Sequence, residues 1–197
     1  MEILPLAFTS GWASGINTWA TVLLLGLMGR YAGVAGIPPG FERTDVLIVM
    51  GVLAIVEVVA DKIPYLDSAW DVVSTFIRPI GGATIGALMA GQTGDLGSIS
   101  LAAVGGVTAL LSHLAKASVR LAVNTSPEPL SNLTASAVGD LSLIGVLSLA
   151  ALYPVAAATV AAVLLVMTIG VALFLLNRVV RGWRRLQAWR AARRATA

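Results

Sequence analysis

No cysteine occurs in this chain, and histidine occurs once, at His113. The first absence removes disulfides, thiolate metal sites and cysteine nucleophiles together. The second means that no zinc site can be assembled from imidazoles, although one imidazole can still relay protons near neutral pH. Charge is scarce as well: 12% of residues are charged and 57% hydrophobic, whereas a soluble globular domain carries roughly 25% charged residues. So little polar material cannot cover a water-facing surface. Met1-Glu2-Ile3-Leu4-Pro5 lacks a basic start, so no cleavable signal peptide is expected. Also missing are a phosphate-cradling glycine loop followed by lysine, an HExxH pair and a GxSxG elbow. The carboxylates do not match the aspartate spacing of membrane phospho-alcohol transferases. No cofactor is expected.

What is present is hydrocarbon in blocks of membrane-spanning length, about 20 residues when helical. The reading is an all-α, polytopic transmembrane bundle with about six hydrophobic segments. The first covers residues 11–35, interrupted by Asn17 and Thr18 and closed by Arg30. Gly11 and Gly15 form a small-xxx-small pair that lets another helix approach closely. After the punctuation Gly36-Ile37-Pro38-Pro39-Gly40, the second segment (45–62) begins as pure hydrocarbon and ends in Glu57, Asp61 and Lys62. Residues 65–78 are too polar to span on this reading and form a short amphipathic helix, interfacial or re-entrant. Pro79 then opens a short glycine-rich segment, 80–90, with Gly82 and Gly86 as a second close-packing face. A loop is expected at 91–100, followed by segments at 101–123, 133–153 and 155–176.

Beyond Asn177 the character changes. Seven of the thirteen basic residues lie between Arg178 and Arg194, interleaved with Trp183, Leu186 and Trp189. This divides the chain into a transmembrane domain (1–176) and a basic amphipathic tail (177–197), expected to lie along the membrane as a helix. Arg181, Arg184 and Arg185 are its candidate contacts with anionic lipid head groups, and nucleic acid is not an expected partner. The arginines place the C-terminus in the cytoplasm by the positive-inside rule, and six crossings return the N-terminus to the same side. A weak inverted repeat is also legible: a shift of 55 positions lays Gly51 on Gly106, Ala60 on Ala115 and Asp61 on Lys116.

Ionisable groups inside a bilayer cost at least about 2.5–3.5 kcal/mol each at a helix centre, and they pair or line a wet cavity. Glu57 and Asp61, four apart, share one helix face beside Lys62, while His113, Lys116 and Arg120 share another. An acidic and a basic stripe of similar length are natural partners. Two functions fit them: structural pairs that lock the bundle, or a polar pathway for a proton, an ion or a small anionic solute. Asn17 and the isolated Asp140 join the pathway candidates. Asp67 and Asp71, at i and i+4, could hold a divalent cation through oxygen ligands, or could simply face water.

The run Glu57-Val58-Val59-Ala60-Asp61-Lys62-Ile63-Pro64-Tyr65-Leu66-Asp67-Ser68-Ala69-Trp70-Asp71, followed by Arg78-Pro79-Ile80-Gly81-Gly82, resembles the signature of bacterial membrane proteins grouped as domain-of-unknown-function family 4126. Gly15-Ile16-Asn17 with Gly26-Leu27, the His113, Lys116 and Arg120 face, and Asn124-Thr125-Ser126-Pro127 followed by Asn132 and Ser136 fit the same pattern. The resemblance covers the chain up to Asp140 and implies an integral membrane protein without an assigned activity. The residues themselves point to a small transporter or channel, with homo-oligomers packed through the glycine faces, and the resemblance implies the bacterial inner membrane as its setting. The alternatives are a non-catalytic scaffold or lipid-binding protein and, less economically, a lipid-phosphate enzyme using Asp67 and Asp71 with a metal.

Overall fold

Prolines, glycines and one asparagine partition the chain into seven α-helices in the computed structural model, which describes residues 3–63, 66–91, 95–124 and 129–195. They are α1 (Ile3–Ile16), α2 (Thr18–Ala32), α3 (Thr44–Ala60), α4 (Leu66–Met89), α5 (Asp95–Asn124), α6 (Pro129–Leu152) and α7 (Pro154–Ala195), with one 3-10 turn at Pro39–Glu42 before α3. No strand occurs among the described residues, and the fold is an all-α bundle. The loop expected at 91–100 is corrected in its second half, where α5 is already helical from Asp95, while 64–65, 92–94 and 125–128 fall outside the described residues.

Among the described residues, four helices are long and apolar enough to cross a membrane: 69–89, 95–123, 133–152 and 154–185. Their outer surfaces are hydrocarbon, as Phe76, Ile80, Val107, Leu141, Val166 and Leu173 are all exposed. Thr9, Ser10, Ser14, Asn17, Thr108 and Ser112 are buried instead. Apolar outside and polar inside is the pattern of a chain solvated by lipid. The protein is a multi-pass membrane protein.

Three further expectations need correction. The first segment is not one helix, because Asn17 is extended (φ −157°, ψ 106°) and separates α1 from α2. The short α1, about 21 Å at 1.5 Å per residue, is buried along most of its length and packs against α4, α5, α6 and α7. The interfacial helix at 65–78 and the short segment at 80–90 are one helix, α4, running through Pro79. Proline removes one backbone donor, but a helix in a bundle tolerates that loss where neighbours re-satisfy the freed group. Finally, α7 runs unbroken for 42 residues, about 63 Å. The arginine tail therefore continues the last span directly and is not a separate helix.

Why α4 can span despite its polar half is visible in its buried stripe. Asp67, Asp71, Ser74, Arg78, Gly82, Ile85, Gly86 and Met89 are buried at spacings of three and four. The stripe faces α5 and α1, and α4 with α5 forms the most extensive helix pair. Glycine makes this pairing close. A Cβ on Gly82 would strike the carbonyl of Gly105, one on Gly105 would strike that of Gly82, and one on Gly86 would strike the carbonyl of Leu101. On the third side, a Cβ on Gly11 would meet Gly105 and Thr108, and one on Gly15 the backbone at Ala109 and His113. Both small-residue faces are thus consumed inside one chain and are closed to contacts between copies. The repeat is unequal in its parts, since α3 has 17 residues and α5 has 30.

The sign of an alanine substitution should follow this geometry. Gly82→Ala is expected to destabilise by about 1–3 kcal/mol through overpacking against backbone. Gly170→Ala, in open space on α7, should be neutral or stabilising by up to about 1 kcal/mol from helix propensity. Unfolding of both variants in mild detergent checks the contrast.

Candidate functional site

Breaking a helix at Asn17 strands backbone carbonyls at the end of α1. All three are recovered by side chains. Thr18 Oγ1 donates to the Ser14 carbonyl (3.0 Å), Arg78 Nη1 to that of Gly15 (3.0 Å) and Lys116 Nζ to that of Ile16 (2.9 Å). On the other side of the break, Asn17 Oδ1 accepts from the Ala20 amide (2.8 Å) and caps α2. The negative end of the α1 dipole therefore points at two cations.

Arg78 is the largest fully buried side chain among the described residues, 1% exposed. Its Nη2 donates to Glu57 Oε1 at 2.6 Å and lies 3.9 Å from Asp71 Oδ1. Its Nη1 also donates to His113 Nδ1 at 2.7 Å. A guanidinium has no acceptor, so His113 must accept at Nδ1 and carry its proton on Nε2. That nitrogen is 2.9 Å from Thr75 Oγ1, and Thr75 donates onward to the Asp71 carbonyl (2.8 Å). The imidazole is neutral and fully oriented.

One helical turn along α5, Lys116 Nζ donates to Asp61 Oδ2 (2.6 Å). Arg120 spans three carboxylates: Nη1 donates to Asp61 Oδ1 (3.3 Å) and Asp71 Oδ2 (3.0 Å), and Nε lies 3.7 Å from Asp67 Oδ2. Its Nη2 is 3.0 Å from Asp61 Oδ2 but lacks hydrogen-bond geometry. Among the described residues, four buried carboxylates (Glu57, Asp61, Asp67, Asp71) thus face two buried cations, Arg78 and Arg120, and the half-buried Lys116.

The acidic stripe of Glu57 and Asp61 and the basic stripe of His113, Lys116 and Arg120 do meet. Asp67 and Asp71 are drawn into the same network, turned toward Arg120. Among the described residues, no group of three carboxylate or histidine ligands converges on a cation position. Lys62 turns away from the network: it donates to the Val58 carbonyl (3.0 Å) and sits 3.5 Å from Asp140 Oδ2, both side chains partly exposed. Those two form a peripheral link from the end of α3 to α6. Arg181, Arg184 and Arg185 are exposed on α7. Absent from the sequence-level set are Arg78 and Thr75. Arg78 lies eleven residues after Asp67, about three turns on the same face, a signal already present within the helix expected over 65–78.

The two kinds of ion pair should differ in cost. Glu57→Met leaves the Arg78 charge buried without its closest partner and is expected to cost about 3–5 kcal/mol. Asp140→Asn, at the partly exposed pair, should cost less than about 1 kcal/mol. Equilibrium unfolding in detergent micelles reads both, and equal costs would mean that the network is wetter than its geometry indicates.

The family model described as domain of unknown function (DUF4126) matches residues 4–173, which takes in the network, α6 and the apolar part of α7 and stops short of the arginines. No curated protein and no solved structure matches the chain. With the match running well past Asp140 to cover most of the sequence, the chain belongs to the DUF4126 family.

Proposed function

We propose that this protein is a small membrane transporter or channel in which the buried network forms a polar intramembrane site for a proton, an ion or a small anionic solute. The observation that carries the reading is the concentration of charge: among the described residues, four buried carboxylates converge on Arg78, Arg120 and the half-buried Lys116 beside a broken helix. A purely structural lock gains nothing from such an arrangement, because buried ion pairs replaced by apolar residues often leave a protein equally or more stable. The carboxylates of the network give a proton or small cation a seat. Glu57, Asp61 and Asp71 are the groups that would carry it. Lys116 and Arg120 would hold an anionic group, and Asn17 keeps the α1 carbonyls turned toward the site. Discontinuous helices next to intramembrane charge are a recurrent feature of ion and solute sites in transporters.

The setting we infer is the bacterial inner membrane, with the arginine end of α7 in the cytoplasm by its positive charge. Arg181, Arg184 and Arg185 would meet anionic lipid there. A chain of 197 residues would work most readily as a homo-oligomer, through a surface other than the glycine faces.

A second reading has its own observation. Each of the three cations of the network has a carboxylate within 3.0 Å, as a non-catalytic scaffold with internal ion pairs would require. Flux separates the two. In liposomes carrying a pH-sensitive dye and challenged with a panel of salts, the native chain is expected to move protons or an ion. Asp61→Asn, reconstituted in equal folded amount, should lower that flux at least tenfold, and Asp45→Asn, in the exposed pair with Arg43, should not. Flux unchanged by Asp61→Asn would remove the network from the pathway. No flux with any salt, combined with a lower unfolding temperature for Asp61→Asn, would favour the scaffold.

A further inference from the structure

A second feature lies on the opposite side of Lys116 and Arg120 from the carboxylates' own helices. Between α1, α5, α6 and α7 is a cavity of about 350 Å³, within the roughly 300–1,000 Å³ range of small-molecule sites. Most of its wall is hydrocarbon, including Trp12, Val119, Leu164, Leu165 and Val171. Lys116 and Arg120 form its charged part, with Ser136 among its few other polar groups. Val138 and Met167 also line it and are about 60% exposed on the outer surface. The cavity is therefore open sideways to lipid, between α6 and α7.

Two of its polar groups make no hydrogen bond among the described residues. The Ser136 side chain is buried, 2% exposed, and its hydroxyl has no hydrogen-bond partner among the described residues. Arg120 Nη2, 3.0 Å from Asp61 Oδ2 in an ion pair, also makes no hydrogen bond. A buried hydroxyl left unbonded is destabilising, and a ligand that completes it recovers that cost. Lys116 uses two of its three donors, on Asp61 and the Ile16 carbonyl. An apolar chamber with lateral access, a cation pair and an unsatisfied hydroxyl fits a molecule with a hydrocarbon body and an anionic head.

We propose that this cavity binds a long-chain carboxylate, a fatty-acid-type amphiphile that enters from the bilayer between α6 and α7. The head lies among Lys116, Arg120 and Ser136, and the chain lies along Trp12, Leu164 and Leu165. A monoanion is specified because both cations already share their charge with Asp61, and Arg120 also with Asp67 and Asp71. Too little positive charge remains for a doubly charged phosphate. This site stands or falls separately from transport, since binding is measured without flux.

The test uses the full chain in detergent micelles, titrated with dibromostearate, whose bromines quench tryptophan at contact. Saturable quenching is expected, reversed by excess oleate and not by oleyl alcohol, which has the chain without the charge. Ser136→Leu, which fills the cavity and leaves the ion network intact, should weaken binding at least tenfold with its unfolding temperature retained. Should that variant fail to fold, Val138→Trp at the outer mouth is expected to have the same effect. The proposal is overturned by absence of saturable quenching, or by oleyl alcohol competing as well as oleate. Unchanged affinity in a folded cavity variant would also overturn it, as would lysophosphatidic acid outcompeting oleate, which would reassign the head to phosphate.

Discussion

A guanidinium keeps its proton in a protein, so wherever Arg78 is buried its charge is buried too. Inside a bundle whose outer face is hydrocarbon, that charge can be stabilised only by what the neighbouring helices bring to it. Four groups answer: the Glu57 carboxylate from α3, the Gly15 carbonyl from the end of α1, the His113 imidazole from α5, and Asp71 one step further off on its own helix. Three of the four depend on a separate helix arriving at a fixed depth. The positions of α1, α3 and α5 around α4 are thus set by one side chain, and the ionic network grows outward from it through Asp71 to Arg120 and Asp61.

Glycine makes that convergence geometrically possible. The carbonyl of Gly15 comes within 3.0 Å of Arg78 because α1 lies almost on the backbone of α5, where any Cβ at Gly15 would collide with Ala109 and His113. Without a strong hydrophobic drive between helices in lipid, close packing and interhelical polar contacts hold such a bundle together, and here they act in sequence. Gly82 and Gly105 bring α4 and α5 together, and the ion network then fixes their register. An arrangement in which packing and charge demand the same register leaves few competing structures.

Much of this was legible in the sequence. The scarcity of charge and the apolar blocks give a membrane bundle, and the i, i+4 spacing of Glu57 with Asp61, and of His113 through Arg120, gives two stripes that meet in space. The glycine pairs are close-packing faces as read, although they serve contacts within one chain. The failures share a cause. Pro79 and the polar stretch before it argue for a helix end, yet the polar residues of α4 lie on one buried stripe, where α1, α3 and α5 satisfy them. Asn17 argues only for an interruption, and its role emerges once the freed carbonyls are seen to find Arg78 and Lys116 on distant helices. Local composition reports what a segment costs to bury, and the partners that offset the cost lie up to a hundred residues away.

Lys116 and Arg120 belong at once to the ionic network and to the wall of the lipid-facing cavity. An anion placed in the cavity would compete with Asp61 for the same donors, and loss of those donors would leave Asp61 as a carboxylate free to take a proton or a cation. By linkage, whatever occupies Asp61 must then alter the affinity for the anion by the same factor in return. The broken end of α1 is held by the same lysine, through the Ile16 carbonyl, so movement of Lys116 would release a backbone group as well as a charge. A site built in this way couples an occupant on the membrane side to the charge state of the interior without a long-range conformational change, because two residues on one helix turn carry both.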